Sequence, residues 1–223
     1  MSVPSPAAQP HPYVAVDVVI FTIDAGELKA LLAQVREGPF AGRWAFPGGL
    51  VEMAESLDEA ARRELSAKTG IAGIYLEQLR TFGDPRRDPQ ARVVSTAYFA
   101  LVPAKDMVAR SDKYAGVSWF AVRRLPPLAY DHDAVAAAAL ERLRAKLAYT
   151  NLVYGLLPAE FTLGELQEIY EVILGRRLDR RNFRKKILAT GLLRRLPRQR
   201  RGAHRPAALY RFVRRQPMIV EML

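Results

Sequence analysis

Val14–Ile23 is a nearly unbroken run of apolar, mostly β-branched residues interrupted at Asp17, and Leu28–Val35 follows it across Asp24-Ala25-Gly26. Such runs, bounded by turn residues, predict two strands joined in a hairpin. Val93–Val102 and Val117–Val122 predict further strands. The period then changes: Leu140, Leu143 and Leu147 recur at helical spacing within a helix expected from about Ala134 to Leu147. Beyond it the signals are those of helix ends. Thr150 or Asn151 can cap a short helix through about Leu157. Thr162 is an N-cap with Glu165 as its capping-box partner, and Phe161 stands to Leu166 as a hydrophobic staple. Leu166, Ile169, Tyr170 and Ile173 share one face of that helix. Gly175 can end it, and Asp179 caps a second helix beginning at Arg180. After Gly191, Leu192–Leu196 and Ala207–Val213 read as strands on either side of a basic tip, Pro197–Pro206.

Composition changes this picture in one respect. The 223 residues are half apolar, enough for a sizeable core, and carry a net charge of +11. Residues 151–223 hold 16 Lys+Arg against 6 Asp+Glu, whereas residues 1–150 hold 18 against 17. The charge therefore sits in the terminal third, the distribution expected of a near-neutral small-molecule domain (1–149) joined to one that meets a polyanion (150–223). Residues 1–12 are expected to be disordered and lack the layout of a signal peptide. No apolar run is long enough to span a bilayer. The chain has no cysteine, which excludes disulfides and thiolate metal sites and, with the missing signal, favours the cytoplasm.

Between the hairpin and the third strand lies the chemistry. Trp44-Ala45-Phe46-Pro47-Gly48-Gly49 leads into Gly49-x5-Glu55-x7-Arg63-Glu64-Leu65-x-Ala67-Lys68-x-Gly70-Ile71. Ser56 can cap a helix with Glu59 as its box partner, running to about Thr69 and ended by Gly70. This segment resembles the box of the Nudix hydrolases, G-x5-E-x7-R-E-U-x-E-E-x-G-U with U a bulky aliphatic residue. The resemblance implies an α/β/α sandwich and hydrolysis of nucleoside diphosphates linked to another moiety. It breaks where the chemistry lies, because Ala67 and Lys68 replace the glutamate pair. Glu64, Ala67 and Lys68 fall on one helix face, where the family gathers carboxylates around Mg²⁺. Two of three are gone, and the Lys68 ammonium can hold a pyrophosphate without activating water. Glu55, Arg63 and Glu64 are then box remnants, with no catalytic residue and no bound metal expected. A rearranged set of Glu52, Glu55, Asp58 and Glu59 with Glu64 is the alternative, and only retained hydrolysis would require Mg²⁺.

Thr81–Arg92 is rich in turn residues and contains Arg86, Arg87 and Arg92, whose planar forks suit phosphate. Phe82 or Tyr98 could stack on an adenine. With Phe46, Gly48, Gly49 and Lys68 these form the candidate ligand site; surface arginines paired with Asp84 and Asp88 are the plainer alternative. In the second domain, helix, short turn and basic helix is the arrangement that places a helix in the DNA major groove. Phe183 and Ile187 face inward, leaving Arg181 and Lys185 nearly opposite, with Asn182 and Arg184 on the flanks. Thr162, Arg180, Arg181, Asn182, Arg184 and Lys185, with Arg198, Arg200, Arg201, His204 and Arg205 of the tip, are the candidate DNA-binding residues. A basic oligomerisation or RNA-binding module is the competing reading.

Taken together, the chain resembles the Nudix-related transcriptional regulators of NAD metabolism from about Tyr13 to Val213. The resemblance rests on the altered box, on Phe82-Gly83-Asp84-Pro85 followed by Arg87-Asp88-Pro89 and Arg92, on Asp131-His132, and on Phe161-Thr162 through Asn182-Phe183-Arg184. It implies a Nudix-like sandwich followed by a winged helix-turn-helix, in a homodimeric repressor of NAD-synthesis or salvage genes. ADP-ribose or a related NAD derivative would bind as effector and release a near-palindromic double-stranded operator. An active ADP-ribose pyrophosphatase with a basic appendage and a sugar-responsive Nudix regulator remain alternatives.

Overall fold

The computed structural model describes residues 11–69, 74–103, 116–200 and 206–220; the side chains of Lys68 and Thr69 fall outside that description. In chain order the first part comprises β1 (Tyr13–Asp24), β2 (Glu27–Gln34), β3 (Trp44–Ala45), β4 (Gly48–Leu50), α1 (Leu57–Thr69), β5 (Leu76–Phe82), β6 (Val93–Leu101), β7 (Val117–Ala121) and α2 (His132–Lys146). The second comprises β8 (Phe161–Thr162), α3 (Leu163–Leu174), α4 (Arg180–Ala189), β9 (Leu193–Arg200) and β10 (Ala207–Phe212).

The central path of the first sheet runs β3-β2-β1-β6-β5, with β4 pairing β1 and β7 pairing β2. β1 and β6 are parallel, and every other pairing in this sheet is antiparallel. Parallel pairing deep in a sheet goes with cover on both faces, which is why β1 reads as a continuous apolar run. Its alternate residues serve two cores. Val16, Val18 and Ile20 pack with Ala60, Ala61 and Leu65 of α1, while Val19 and Phe21 pack with Val135, Ala139 and Leu143 of α2. The sandwich is thus α/β/α. At the hairpin tip Ala25 and Gly26 both take positive φ, 50° and 73°, the backbone a two-residue turn needs to match the strands' twist.

Outside the wing the elements expected from pattern are present within a residue or two, and β3, β4, β5 and β8 are additions. Only Leu79 and Phe82 of β5 are buried, and a register shift between Gln78 and Arg80 breaks its alternation, so its pattern carries little periodic signal. The short helix after Asn151 is a 3-10 turn, Leu152–Gly155, with no side-chain cap. The two parts share one apolar cluster, in which Leu147, Leu152 and Val153 adjoin Phe161, Leu166 and Ile173.

In the second part β8, β10 and β9 form a three-stranded antiparallel sheet against α3 and α4. Thr162 closes its capping box with Glu165, and Gly175 ends α3 at φ 71°. Asp179 caps α4 by accepting from the Asn182 N–H at 2.8 Å. The wing departs from expectation: β9 continues to Arg200 instead of stopping at Leu196. Its register to β10 jumps from Gln199 to Arg195 while the partner advances from Ala208 to Tyr210. Pro197 sits in this bulge, where a residue without an N–H costs no ladder bond.

Beyond β10 the chain returns to the junction. The buried Asn151 side chain accepts from the Met218 N–H (2.8 Å) and donates to the Gln216 carbonyl (3.0 Å). Arg215 donates to the carbonyls of Tyr154, Leu157 and Pro158 at 2.6, 2.9 and 3.0 Å. Among the described residues no helix is long and apolar enough to cross a membrane.

Candidate ligand and nucleic-acid sites

The box helix forms as its caps require. The Ser56 N–H donates to Glu59 Oε2 (2.7 Å) and the Glu59 N–H to Ser56 Oγ (3.3 Å). One turn along, the Arg63 guanidinium gathers the remnant carboxylates. Its Nη2 and Nε reach Glu55 at 2.6 and 3.0 Å, its Nη1 reaches Glu64 at 2.7 Å, and Nη2 also donates to the Leu50 carbonyl at 3.1 Å. Glu55 in addition accepts the Glu52 N–H at 2.8 Å. Hydrogen bonds from Arg63 first, then from Glu52, hold the Glu55 carboxyl down at about 2. Glu64 is buried and Ala67 is exposed on the same helix. A divalent cation needs several oxygen ligands. Of positions 64, 67 and 68 only Glu64 offers a carboxylate, and Arg63 already engages it, so these three positions do not supply the oxygen set a Nudix metal needs.

Beside the box lies a buried ionic cluster. Arg87, with a side chain 4% exposed, spans Asp131 Oδ1 at 2.8 Å and Asp17 Oδ2 at 3.1 Å. Ser95 Oγ donates to Asp17 Oδ2 at 2.6 Å. His132 accepts the Phe46 N–H on Nδ1 at 2.9 Å, which places its hydrogen on Nε2, 3.3 Å from Asp17 Oδ1. Burial pushes the Asp17 carboxyl up, but contacts from His132, Ser95 and Arg87 override it and bring it to about 2. Gly48 belongs to the same construction: a Cβ there would stand 2.5 Å from both Asp17 Oδ1 and the Val16 carbonyl, so only glycine lets β4 close on β1.

This geometry corrects four ligand expectations. Tyr98 is a core residue among Val18, Ile20 and Leu65, its hydroxyl donating to Asp58 Oδ1 at 2.6 Å, so its ring offers no face to an adenine. The Phe46 ring is buried against His132, with centroids 5.6 Å apart. Phe82 is buried under the Arg80 guanidinium, 4.6 Å from the ring centre. Arg87 is committed to two aspartates. What remains presentable is Arg86, with a side chain 91% exposed, the exposed Arg92, and the half-buried Gly48–Gly49 edge. A separate cleft of about 460 Å³ opens at the seam between the two parts, lined by Glu27, Arg123, Arg144 and Glu168 among others and away from the box.

In the second part, Phe183 packs on Tyr170 with ring centroids 5.2 Å apart, and Ile187 is buried beside it. This seats α4 on α3 and turns Arg180, Arg181, Asn182 and Lys185 to solvent as expected, with Lys186 beside them. Arg184 is half-buried, with its Nε enclosed. Thr162 is occupied by its cap. Arg198 and Arg200 lie exposed on β9, and Arg201, His204 and Arg205 lie outside the described residues.

With both halves in view, the comparisons decide the family. The chain matches the model for the NUDIX domain over residues 11–143 and that for the NrtR DNA-binding winged helix domain over residues 153–212. The ADPR-responsive transcriptional repressor NtrR of Acinetobacter baylyi is 38% identical over 207 residues, spanning 91% of this chain and 83% of the relative. The chain belongs to the NrtR family. Shewanella oneidensis NrtR complexed with a 27-mer DNA superposes with a TM-score of 0.80 at 34% identity, over 89% of this chain and 93% of the other. The Nudix domain of the same Shewanella protein, complexed with ADP ribose, gives 0.55 at 34% identity over 62% and 93%.

For this NrtR-family chain, the residues that the pattern did not single out are Asp17 and Ser95, which with Arg87 and His132 knit the sandwich beside the box loop. Asp17 left a readable trace, since a lone carboxylate inside a β-branched run must find a partner. Ser95 left none.

Proposed function

We propose that this protein is a DNA-binding transcriptional repressor of NAD-synthesis or salvage genes whose Nudix domain binds ADP-ribose, or a related NAD derivative, without hydrolysing it. The observation that carries the reading is the union, in one chain, of an α4 that presents Arg181 and Lys185 to solvent and a Nudix box whose remaining carboxylates, Glu55 and Glu64, are held by Arg63. Metal-assisted attack on a pyrophosphate requires an ion that generates the nucleophile and neutralises developing charge. The box residues present do not fit that ion, so they support binding without turnover.

Ligand binding falls to the box loop and the Asp84–Arg92 stretch. Arg86, Arg92 and Lys68 supply charge for the pyrophosphate, and the Gly48–Gly49 backbone permits close approach. Arg87 serves the site indirectly, by tying this stretch to Asp131 at the start of α2. At the far end of α2, Arg144 Nε donates to the Ile173 carbonyl of α3 at 3.0 Å. One helix therefore joins the ligand loop to the element that seats α4. A ligand that favours one orientation of this helix releases DNA only by its differential affinity, and a coupling of about 1–3 kcal/mol changes operator affinity about 5- to 150-fold. The protein acts as a homodimer on a near-palindromic operator.

The test is a gel shift on DNA upstream of NAD-metabolism genes, with and without ADP-ribose, while AMP release is assayed with Mg²⁺. Specific binding relieved by intact ADP-ribose, with no AMP formed, supports the reading. AMP release without a specific shift would replace it with a pyrophosphatase.

A further inference from the structure

The basic tip pattern makes Arg198 and Arg200 free cations for the DNA backbone, yet both are paired. Arg198 forms an ion pair with Glu160 just before β8. Arg200 Nη1 pairs with Glu165, and its Nη2 donates to the Glu160 carbonyl at 3.3 Å. Glu165 is not a loose partner: its other oxygen accepts the Thr162 N–H at 2.7 Å as half of the α3 capping box, so the helix start aims it. Residues 151–223 contain six acidic side chains against 16 basic ones, and two of the six meet on the wing.

From this arrangement we infer that Glu160 and Glu165 limit the sequence-independent affinity of the wing for DNA by standing where phosphates would. The inference rests on the DNA-binding reading above. A carboxylate offers a guanidinium the same charge-assisted hydrogen bonds that a phosphate does, so the DNA backbone must displace it or share its partner. An arginine that meets a phosphate releases counterions and steepens the salt dependence of binding by about 0.9 per contact. An arginine that brings a carboxylate with it is locally neutral and adds little. The wing then adds little to sequence-independent binding, which is almost wholly this phosphate contribution, and leaves α4 to carry most of the affinity for the operator.

The experiment uses the full chain and its Glu160→Gln, Glu165→Gln and double variants. Affinity is measured for a non-operator duplex and for the operator across a salt series. The double variant should bind the non-operator duplex on the order of 10-fold more tightly near physiological salt, with a log–log salt slope steeper by up to about 1.8. Glu160→Gln touches no helix cap and should give about half of that slope change. Adding Arg198→Ala to it should erase the gain. Unchanged or weaker DNA binding by Glu160→Gln, with the parent slope, would overturn the inference and make the carboxylates supports that orient the arginines. If the parent itself binds neither duplex, it is the DNA-binding reading that fails.

Discussion

Arg87→Ala separates a structural cation from a ligand-binding one. The side chain is 4% exposed and bridges Asp17 and Asp131, whose own side chains are 11% and 20% exposed. Removing it strands a carboxylate in the interior, and breaking a buried pair from one side costs about 3–5 kcal/mol, a large fraction of the 5–15 kcal/mol that holds a typical domain together. At about 2–4 °C per kcal/mol for a domain of this size, the melting temperature should fall by about 6–20 °C. Thermal unfolding reads that loss. ADP-ribose calorimetry, at a temperature where the variant remains folded, should then find binding weakened far less than a direct phosphate contact would require. Asp17→Asn should recover part of the lost stability in the Arg87→Ala background, since it removes the stranded charge. An unchanged melting temperature combined with lost ADP-ribose binding would refute the argument and return Arg87 to the phosphates.

Asp17 also sets an acid limit. Its folded pKa of about 2 lies below the ordinary 3.8, so its contribution, about 2 kcal/mol, is complete above roughly pH 4 and is lost as the pH falls through 2. Denaturant titrations of the parent and Asp17→Asn should therefore differ in slope against pH within that window and run parallel above it. Gly48→Ala forces a Cβ to within 2.5 Å of Asp17 Oδ1 and the Val16 carbonyl, and should cost about 1–3 kcal/mol in the same assay. Replacing Arg181 and Lys185 together by alanine should abolish operator binding while ADP-ribose calorimetry is unaltered; an undiminished footprint would remove α4 from the DNA. Arg144→Ala should leave both binding activities standing yet shrink the effect of ADP-ribose on operator affinity, and a full effect in the variant would exclude the Arg144 contact from the coupling.

Much of the architecture was legible because single residues carry local instructions. Thr162, Glu165, Gly175 and Asp179 fix both ends of α3 and the start of α4 through caps that need no tertiary partner. β1 declares itself by burying both faces. β5 does not, because only two of its residues meet the core and a bulge breaks its period. The candidate site was harder for the same kind of reason. An arginine in a turn-rich loop looks alike in sequence whether it will face a phosphate or a buried aspartate. Arg86 and Arg87 are adjacent, yet one is 91% exposed and the other 4%, and what separates them is Asp17, 70 residues away on β1. Tyr98 misleads similarly: an aromatic on a central strand next to a ligand loop is as readily core as stacking platform, and its partner Asp58 lies on α1.

The fold gives α2 a particular position between the two activities. Its start is pinned by the pair of Arg87 with Asp131 and by His132, whose Nδ1 accepts from Phe46 at the lip of the box loop. Its end is pinned to α3 by Arg144 and followed at once by the Asn151–Met218 clasp. A helix fixed at both ends moves as a unit or not at all, because packed interiors resist continuous deformation and switch between discrete arrangements. On the function proposed above, a shift that a ligand imposes on the Asp84–Arg92 stretch or on the box loop would reach α3 by this route, with α4 following through Tyr170 and Phe183. An altered box suits this use. Hydrolysis would destroy the signal it measures, whereas binding without turnover, as proposed above, would leave the ligand intact for as long as it is bound.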